Sequence, residues 1–440
     1  MTTLQISTIT RQIFIRFFSR RRFATLAYSR PPLSRMAHLE QATQQAMAAA
    51  LTRLIGAKAE SKKTDVEFIH VSTPSWPLDP STAVGLTSPA EWRAREKRPI
   101  RISVLDSSFN PPTKAHLALA SSVPPPSRVV QTSPQRVSRK AVQDQFSSGA
   151  TSARKDDDQG LEMSSYDARM LLLSVTNADK KLKHGDATYQ ERLEMMVLLA
   201  QEMKSSQDDA LSLSFNICVA AIDEPTFVGK SRKLKRAVAR KLASLSSHGI
   251  RGEQHIAPDS ETASPSDSTI ASWEKEITLF FLLGFDTVIR LFDSRFYGST
   301  EAMRESLRSF FAPCADGGDG SYVVCARRQQ PTKKDPGGNR DQPGSKEGNS
   351  DSARTQNLIS EVSEEELRFF TSPEVEKYWE TGKITLMDDL GVELQAMSST
   401  LARNARSSRE FDMDMEVRRL LPGSVANYVF QRNLYSDLRT

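Results

Sequence analysis

Cysteine is scarce in this sequence. There are three in 440 residues (Cys218, Cys314 and Cys325), scattered and with no CxxC spacing. That excludes a disulfide framework and a cysteine-ligated zinc site. Long apolar runs are absent too. No stretch approaches the ~20 residues needed to cross a bilayer, which excludes an ordinary membrane-spanning protein. Collagen-like, coiled-coil and repeat periods are missing. Hydrophobic residues make up 38% of the chain. Globular chains reach ~45–50% on a count that includes glycine. A real core diluted by polar tracts is therefore expected. Acidic residues are missing from 1–35, which hold seven arginines (Arg11, Arg16, Arg20, Arg21, Arg22, Arg30 and Arg35) and no lysine. Taking those seven from the formal net charge of +5 leaves −2 on residues 36–440. The body is nearly neutral, so the pI near 9.0 is no argument for a nucleic-acid-binding fold.

What is present begins with that basic leader. Residues 11–30 mix Arg, Ser and Phe, and the first acid is Glu40. This is the composition of a mitochondrial transit peptide. The other reading is translation from Met36. The first implies the mitochondrion, the second the cytoplasm and nucleus. Either way residues 1–35 stand apart from the fold.

Residues 38–60 are rich in helix formers with apolar residues at helical spacing. VEFIHVS (66–72) alternates as a short strand, and Pro74, Pro77, Pro80 and Pro89 then mark a loop. IRISVLD (100–106), MLLLSV (170–175), SFNICVAAI (214–222), LFFLLGF (279–285), SYVVCAR (321–327) and KITLMDD (383–389) read as further strands, several apolar throughout. Helices are expected over 115–122, 188–203, 228–241, 400–407 and 424–434. The basic helix 228–241 reads as a solvated face; it has no aromatic residue on which a base could stack. Polar tracts near 121–162, 242–272 and 328–357 read as disordered insertions. The expected organisation is an extension (1–35), an N-terminal helix and strand packed on the core (36–98), and one inserted domain (99–440). Strands alternating with helices argue for an α/β layered fold with a parallel sheet.

The chemistry concentrates where the strand 100–106 runs into SSFNPPTKAHLALA. A strand, a tight polar loop and a helix form a standard anchor for phosphates. The helix N-terminus offers free backbone N–H groups and partial positive charge. His116 falls in the first helical turn, facing the same crevice.

SSFNPPTKAH resembles the first signature of the nucleotidyltransferase superfamily, SFNPxTxxH in its eukaryotic members. Ser398-Ser399-Thr400-Leu401-Ala402-Arg403 resembles its second motif, SSTxxR. LLLSVTNADKKLKHGDATYQERLEMM, FLLGFDTVIRLF and VANYVFQRNLYSD are similar to nicotinamide mononucleotide adenylyltransferases, particularly a divergent fungal branch. The resemblance spans roughly 66–437, interrupted by the insertions. It implies a Rossmann-like α/β/α fold that binds ATP at the carboxyl ends of the strands. It implies AMP transfer from ATP to nicotinamide or nicotinate mononucleotide, forming NAD⁺ or its deamido form and pyrophosphate. Mg²⁺ would be carried by the ATP phosphates.

The resemblance also implies roles. Ser108 and Phe109 cradle the ATP phosphates, with Ser107 and Thr113 beside them. His116 donates to the α-phosphate region. Arg403 holds the β- and γ-phosphates, with Ser399 and Thr400 at a helix N-terminus. Gly284 and Asp286 line the nucleoside. Lys180 or Lys181 reaches the acceptor phosphate, supported by Arg192. Two departures stand out. Ser107 replaces the usual glycine before SFNP. The acceptor stretches AAIDEPTFVGK and FDSRFYGS lack the tryptophans that stack the pyridine ring, leaving Phe227 and either Phe296 or Tyr297 to do so. Alternatives are a related cytidylyl- or adenylyltransferase with another acceptor, or a nucleotide-binding regulator with weak ATP hydrolysis. No nucleic-acid or membrane partner is expected, and a homo-oligomer is open.

Overall fold

All seven segments read as strands pair into one sheet. They are β1 (Val66–Val71), β2 (Ile100–Asp106), β3 (Ala168–Ser174), β4 (Ile217–Ile222), β5 (Ile277–Gly284), β6 (Tyr322–Ala326) and β7 (Ile384–Met387). The computed structural model describes residues 41–55, 64–124, 165–176, 184–205, 216–248, 265–327, 364–387, 391–408 and 413–436. The chain divides after Thr43, and everything below lies in the unit Gln44–Thr440.

The strand order is β1-β4-β3-β2-β5-β6-β7. Every pairing is parallel except β1 with β4. Leaving out β1, the order is that of a doubly wound sheet: the chain steps outward from β2 through β3 to β4, then returns to the other side of β2 with β5. This is the Rossmann-like arrangement, and its switch point lies between the carboxyl ends of β2 and β5. Alternate residues such as Ile102, Val104, Met170, Phe281 and Leu283 enter one core with the helices Phe227–His248 and Thr300–Phe311. Strands buried on both faces need apolar residues at nearly every position, as in β4, where all six are buried.

Three expectations change. The proline-marked loop contains two short helices, Pro80–Ala83 and Pro89–Glu96, each with proline in its first turn and a side-chain cap from Asp79 or Ser88. Proline at the first helical position loses no hydrogen bond. The polar insertion expected over 242–272 is helical at both ends. The helix Phe227–His248 runs through 242–248, and Asp267–Lys275 occupies 267–275. Leu242, Ala243, Ile270 and Trp273 are buried there, so apolar anchors override the serine-rich composition. The helix read over 228–241 is not simply a solvated face, because Lys230 and Lys235 are 5% and 4% exposed. Most of the tracts 121–162 and 328–357, and residues 1–40, lie outside the described residues.

Candidate active site

The loop between β2 and the helix Lys114–Ser121 is where the two motifs meet. The Arg403 guanidinium donates to the Asn110 carbonyl at 2.5 Å, and the Ser399 hydroxyl donates to the Pro111 carbonyl at 2.8 Å. Residues nearly 300 positions apart thus share one loop. Ser398 caps the helix Ser399–Ser407 by accepting from the Leu401 N–H, which fixes the turn that presents Arg403. Thr400 Oγ1 accepts from Arg403 Nη2 at 3.1 Å.

Three of the loop carbonyls are taken by protein side chains. Ser108 O accepts from Arg192 Nη1 at 3.4 Å, beside the two carbonyls held by Arg403 and Ser399. The backbone N–H groups of Ser108, Phe109 and Asn110 have no acceptor among the described residues. Phe109 sits at φ 44°, a left-handed conformation that costs a residue with a β-carbon ~1–2 kcal/mol. Three adjacent backbone N–H donors without a protein acceptor, beside a helix N-terminus, are the kind of group that binds anionic oxygens.

His116 is the third residue of its helix. Its Nδ1 accepts from the Thr113 backbone N–H at 3.0 Å and lies 2.8 Å from Thr113 Oγ1. Accepting there leaves the ring proton of the neutral imidazole on Nε2, which is 2.9 Å from Ser107 Oγ and donates to it. Burial pushes its pKa down from 6.5 to about 4, so the ring is a neutral N–H donor near pH 7.

Gly284 ends β5 and caps the helix Phe285–Leu291, and Asp286 is exposed in the first turn of that helix. Both lie on the β5 side of the switch point. Lys180 and Lys181 lie outside the described residues. Arg192 is buried and turned to the loop: its Nε donates to the Ala187 carbonyl at 2.9 Å, and Asp186 lies 3.6 Å away. It braces the loop where the sequence suggested support for an acceptor phosphate. Phe227 opens the helix after β4 with its ring edge-on to Phe281 and the Lys230 ammonium 4.6 Å from its centre. Tyr297 donates its hydroxyl to the Leu291 carbonyl, and burial pushes its pKa up to about 12. Both rings pack against the core. Phe296 is half-buried in the short turn Ser294–Phe296.

Four residues that sequence reasoning passed over complete the site. Asp106, the last residue of β2, pairs with Lys230 at 2.5 Å and accepts from Ser174 Oγ at 3.2 Å. The signal for Lys230 was there: it lies three residues after Phe227 and four before Leu234, on the buried stripe of its helix. Asn110 donates through Nδ2 to Asp186 at 2.7 Å, and its Oδ1 accepts from the Ala187 N–H and the Tyr435 hydroxyl. No local pattern in the sequence pairs Asn110 with Tyr435.

No family model matches the chain. A Schizosaccharomyces pombe protein named "Putative nicotinamide mononucleotide adenylyltransferase" is 26% identical over 228 residues, 52% of this chain and 53% of the relative. The chain thus spans about half the length of the curated relative it matches. Two solved structures of the Plasmodium falciparum nicotinic acid mononucleotide adenylyltransferase are also similar, one complexed with NaAD and one with APC. They match at TM-scores of 0.31 and 0.30 and identities of 13% and 11%, over 76% of this chain and 97% and 96% of theirs. The curated relative bears the name of the family that the two motifs resemble: nicotinamide mononucleotide adenylyltransferase.

Proposed function

We propose that this chain transfers AMP from ATP to nicotinamide or nicotinate mononucleotide. A 5′-phosphate oxygen of the mononucleotide attacks the α-phosphorus of ATP. The bond from that phosphorus to the bridging oxygen breaks, and pyrophosphate leaves with the electron pair. The observation that carries the reading is the convergence of the two motifs on one loop with unused N–H donors. Such a transfer asks the protein mainly to align two anions and to stabilise charge on the phosphoryl oxygens.

The residues divide that work. The N–H groups of Ser108 and Phe109 cradle the ATP phosphates, with Ser107 and Thr113 beside them. His116 swings its Nε2–H from Ser107 to an α-phosphate oxygen. Arg403 takes the β- and γ-phosphates, with Ser399 and Thr400 at its helix start. Gly284 and Asp286 line the nucleoside, the carboxylate accepting from ribose hydroxyls. Lys180 or Lys181 takes the acceptor phosphate. Phe296 is the aromatic best left for the acceptor base, because Phe227 and Tyr297 are engaged with the core. Magnesium fits as an ion that arrives on the triphosphate. Among the described residues no three His, Cys, Asp or Glu side chains cluster as ligands. Mg²⁺ keeps waters and substrate phosphates as its main ligands. When bound, it supplies charge neutralisation on the phosphates.

The engaged rings of Phe227 and Tyr297 favour one second reading, a nucleotidyltransferase of the same chemistry with a different acceptor. One experiment separates the possibilities. The full chain is incubated with ATP, Mg²⁺ and each mononucleotide, and products are identified by mass. NAD⁺ or its deamido form with equimolar pyrophosphate supports the proposal. ADP and phosphate without a dinucleotide would refute it and favour a nucleotide-binding regulator.

A further inference from the structure

We propose that Tyr435 is a positioning residue for the phosphate loop, acting through Asn110. The inference rests on the function proposed above and extends it to a part of the chain that touches no substrate.

Asn110 is the hub of the loop. Its side-chain oxygen accepts from the Ala187 N–H at 3.2 Å and from the Tyr435 hydroxyl at 2.8 Å. Its side-chain nitrogen donates to Asp186, and its carbonyl accepts from Arg403. Its neighbours Ser108 and Phe109 carry two of the free N–H donors, and Phe109 holds its unfavourable φ only if its surroundings impose it. Whatever fixes Asn110 therefore fixes those donors.

Tyr435 lies in the turn after the helix Gly423–Gln431. It is 6% exposed, and it and Asn433 have φ of 59° and 50°. Asn433 accepts from Arg406 at 3.0 Å, and Arg406 belongs to the helix that presents Arg403. One turn thus holds the loop of the first motif through Tyr435 and the helix of the second through Asn433. Burial pushes the Tyr435 phenol well above its ordinary pKa, so the hydroxyl stays a donor at neutral pH.

The test uses the full chain with Tyr435→Phe, which keeps the buried ring and removes the donor. The Ala187 N–H remains on Asn110, so the loop loosens and the fold is retained. Tyr428→Phe is the control, because that hydroxyl donates to Glu194 and does not touch the loop. Rates of pyrophosphate release, thermal midpoints and amide hydrogen exchange over 107–113 are measured. Tyr435→Phe is expected to lower kcat about tenfold, as small misplacements of reacting groups do. KM for ATP rises at the same time, because the loosened N–H groups are those that cradle its phosphates. KM for the mononucleotide stays within about twofold, and exchange in the loop accelerates. Tyr428→Phe is expected to lower the midpoint and leave kcat and loop exchange unchanged. In an Asn110→Leu background, Tyr435→Phe is expected to cost nothing more, since the acceptor is already gone. Unchanged kcat and loop exchange in Tyr435→Phe would overturn the inference. So would an equal loss of kcat in the control, or loss of the fold in Tyr435→Phe alone. A wild-type chain inactive with every mononucleotide would defeat the proposed function, and loop exchange would still decide the case of Tyr435.

Discussion

Replacing His116 by asparagine separates two jobs that its imidazole performs at once. The Nδ1 side closes the N-terminus of the helix Lys114–Ser121 by accepting from the Thr113 N–H. The Nε2 side is the donor proposed to meet the α-phosphate. An asparagine Oδ1 occupies nearly the position of Nδ1 and can accept the same N–H, but no atom of it reaches as far as Nε2. His116→Asn should therefore keep the helix start and lose the donor. Losing one donor to a developing oxyanion costs ~10²–10³ in rate. His116→Ala should lose both. Thr113 is fully buried, and an orphaned buried N–H costs about 1–3 kcal/mol. The assay pairs urea unfolding with pyrophosphate release in wild type and both variants. Expected are two equally slow enzymes, of which only the alanine variant is destabilised. Turnover of His116→Asn within tenfold of wild type would refute the catalytic assignment. Equal stability of the two variants would refute the capping one.

Three further outcomes follow from the same geometry. Because the folded pKa of His116 is about 4 against 6.5 for the free side chain, the unfolded chain binds the extra proton between those values. Its contribution to stability is full above pH 6.5 and is lost as pH falls toward 4, by ~3 kcal/mol in all. The stability difference between wild type and His116→Asn, measured across pH 7 to 4, should show that slope; a flat difference would contradict the half-buried neutral ring. Lys230→Met leaves the Asp106 carboxylate buried beside the loop without its partner and should destabilise by about 3–5 kcal/mol. Adding Asp106→Asn should restore most of it in urea unfolding, and a double variant as unstable as the single one would show that the pair is not the cause. Arg403→Lys keeps the charge but loses the planar fork that reaches both Asn110 O and Thr400 Oγ1. Its kcat/KM for ATP should fall at least ~10-fold, one lost charge-assisted contact, and a value near wild type would remove Arg403 from the site.

The seven strands could be read one by one, because an apolar stretch between polar breaks carries its own signature whatever its partners. The loop SSFNPPTKAH and the cap SSTLAR were equally local, each a turn chemistry leading into a helix. Composition misled where a few anchors outweigh many polar residues: Leu242, Ile270 and Trp273 hold helices inside a serine-rich tract. It misled again at Lys230, whose charge hid a position on the buried stripe. What only the tertiary structure decided is which groups share a partner. That Arg403 and Ser399 hold the loop of His116, that Arg192 braces it, and that Tyr435 reaches Asn110 are facts of sheet order and chain return. The physical reason is range. Propensity, capping and periodicity act over a few residues, whereas a hydrogen bond across 293 or 325 positions exists only once the core has brought its two ends together.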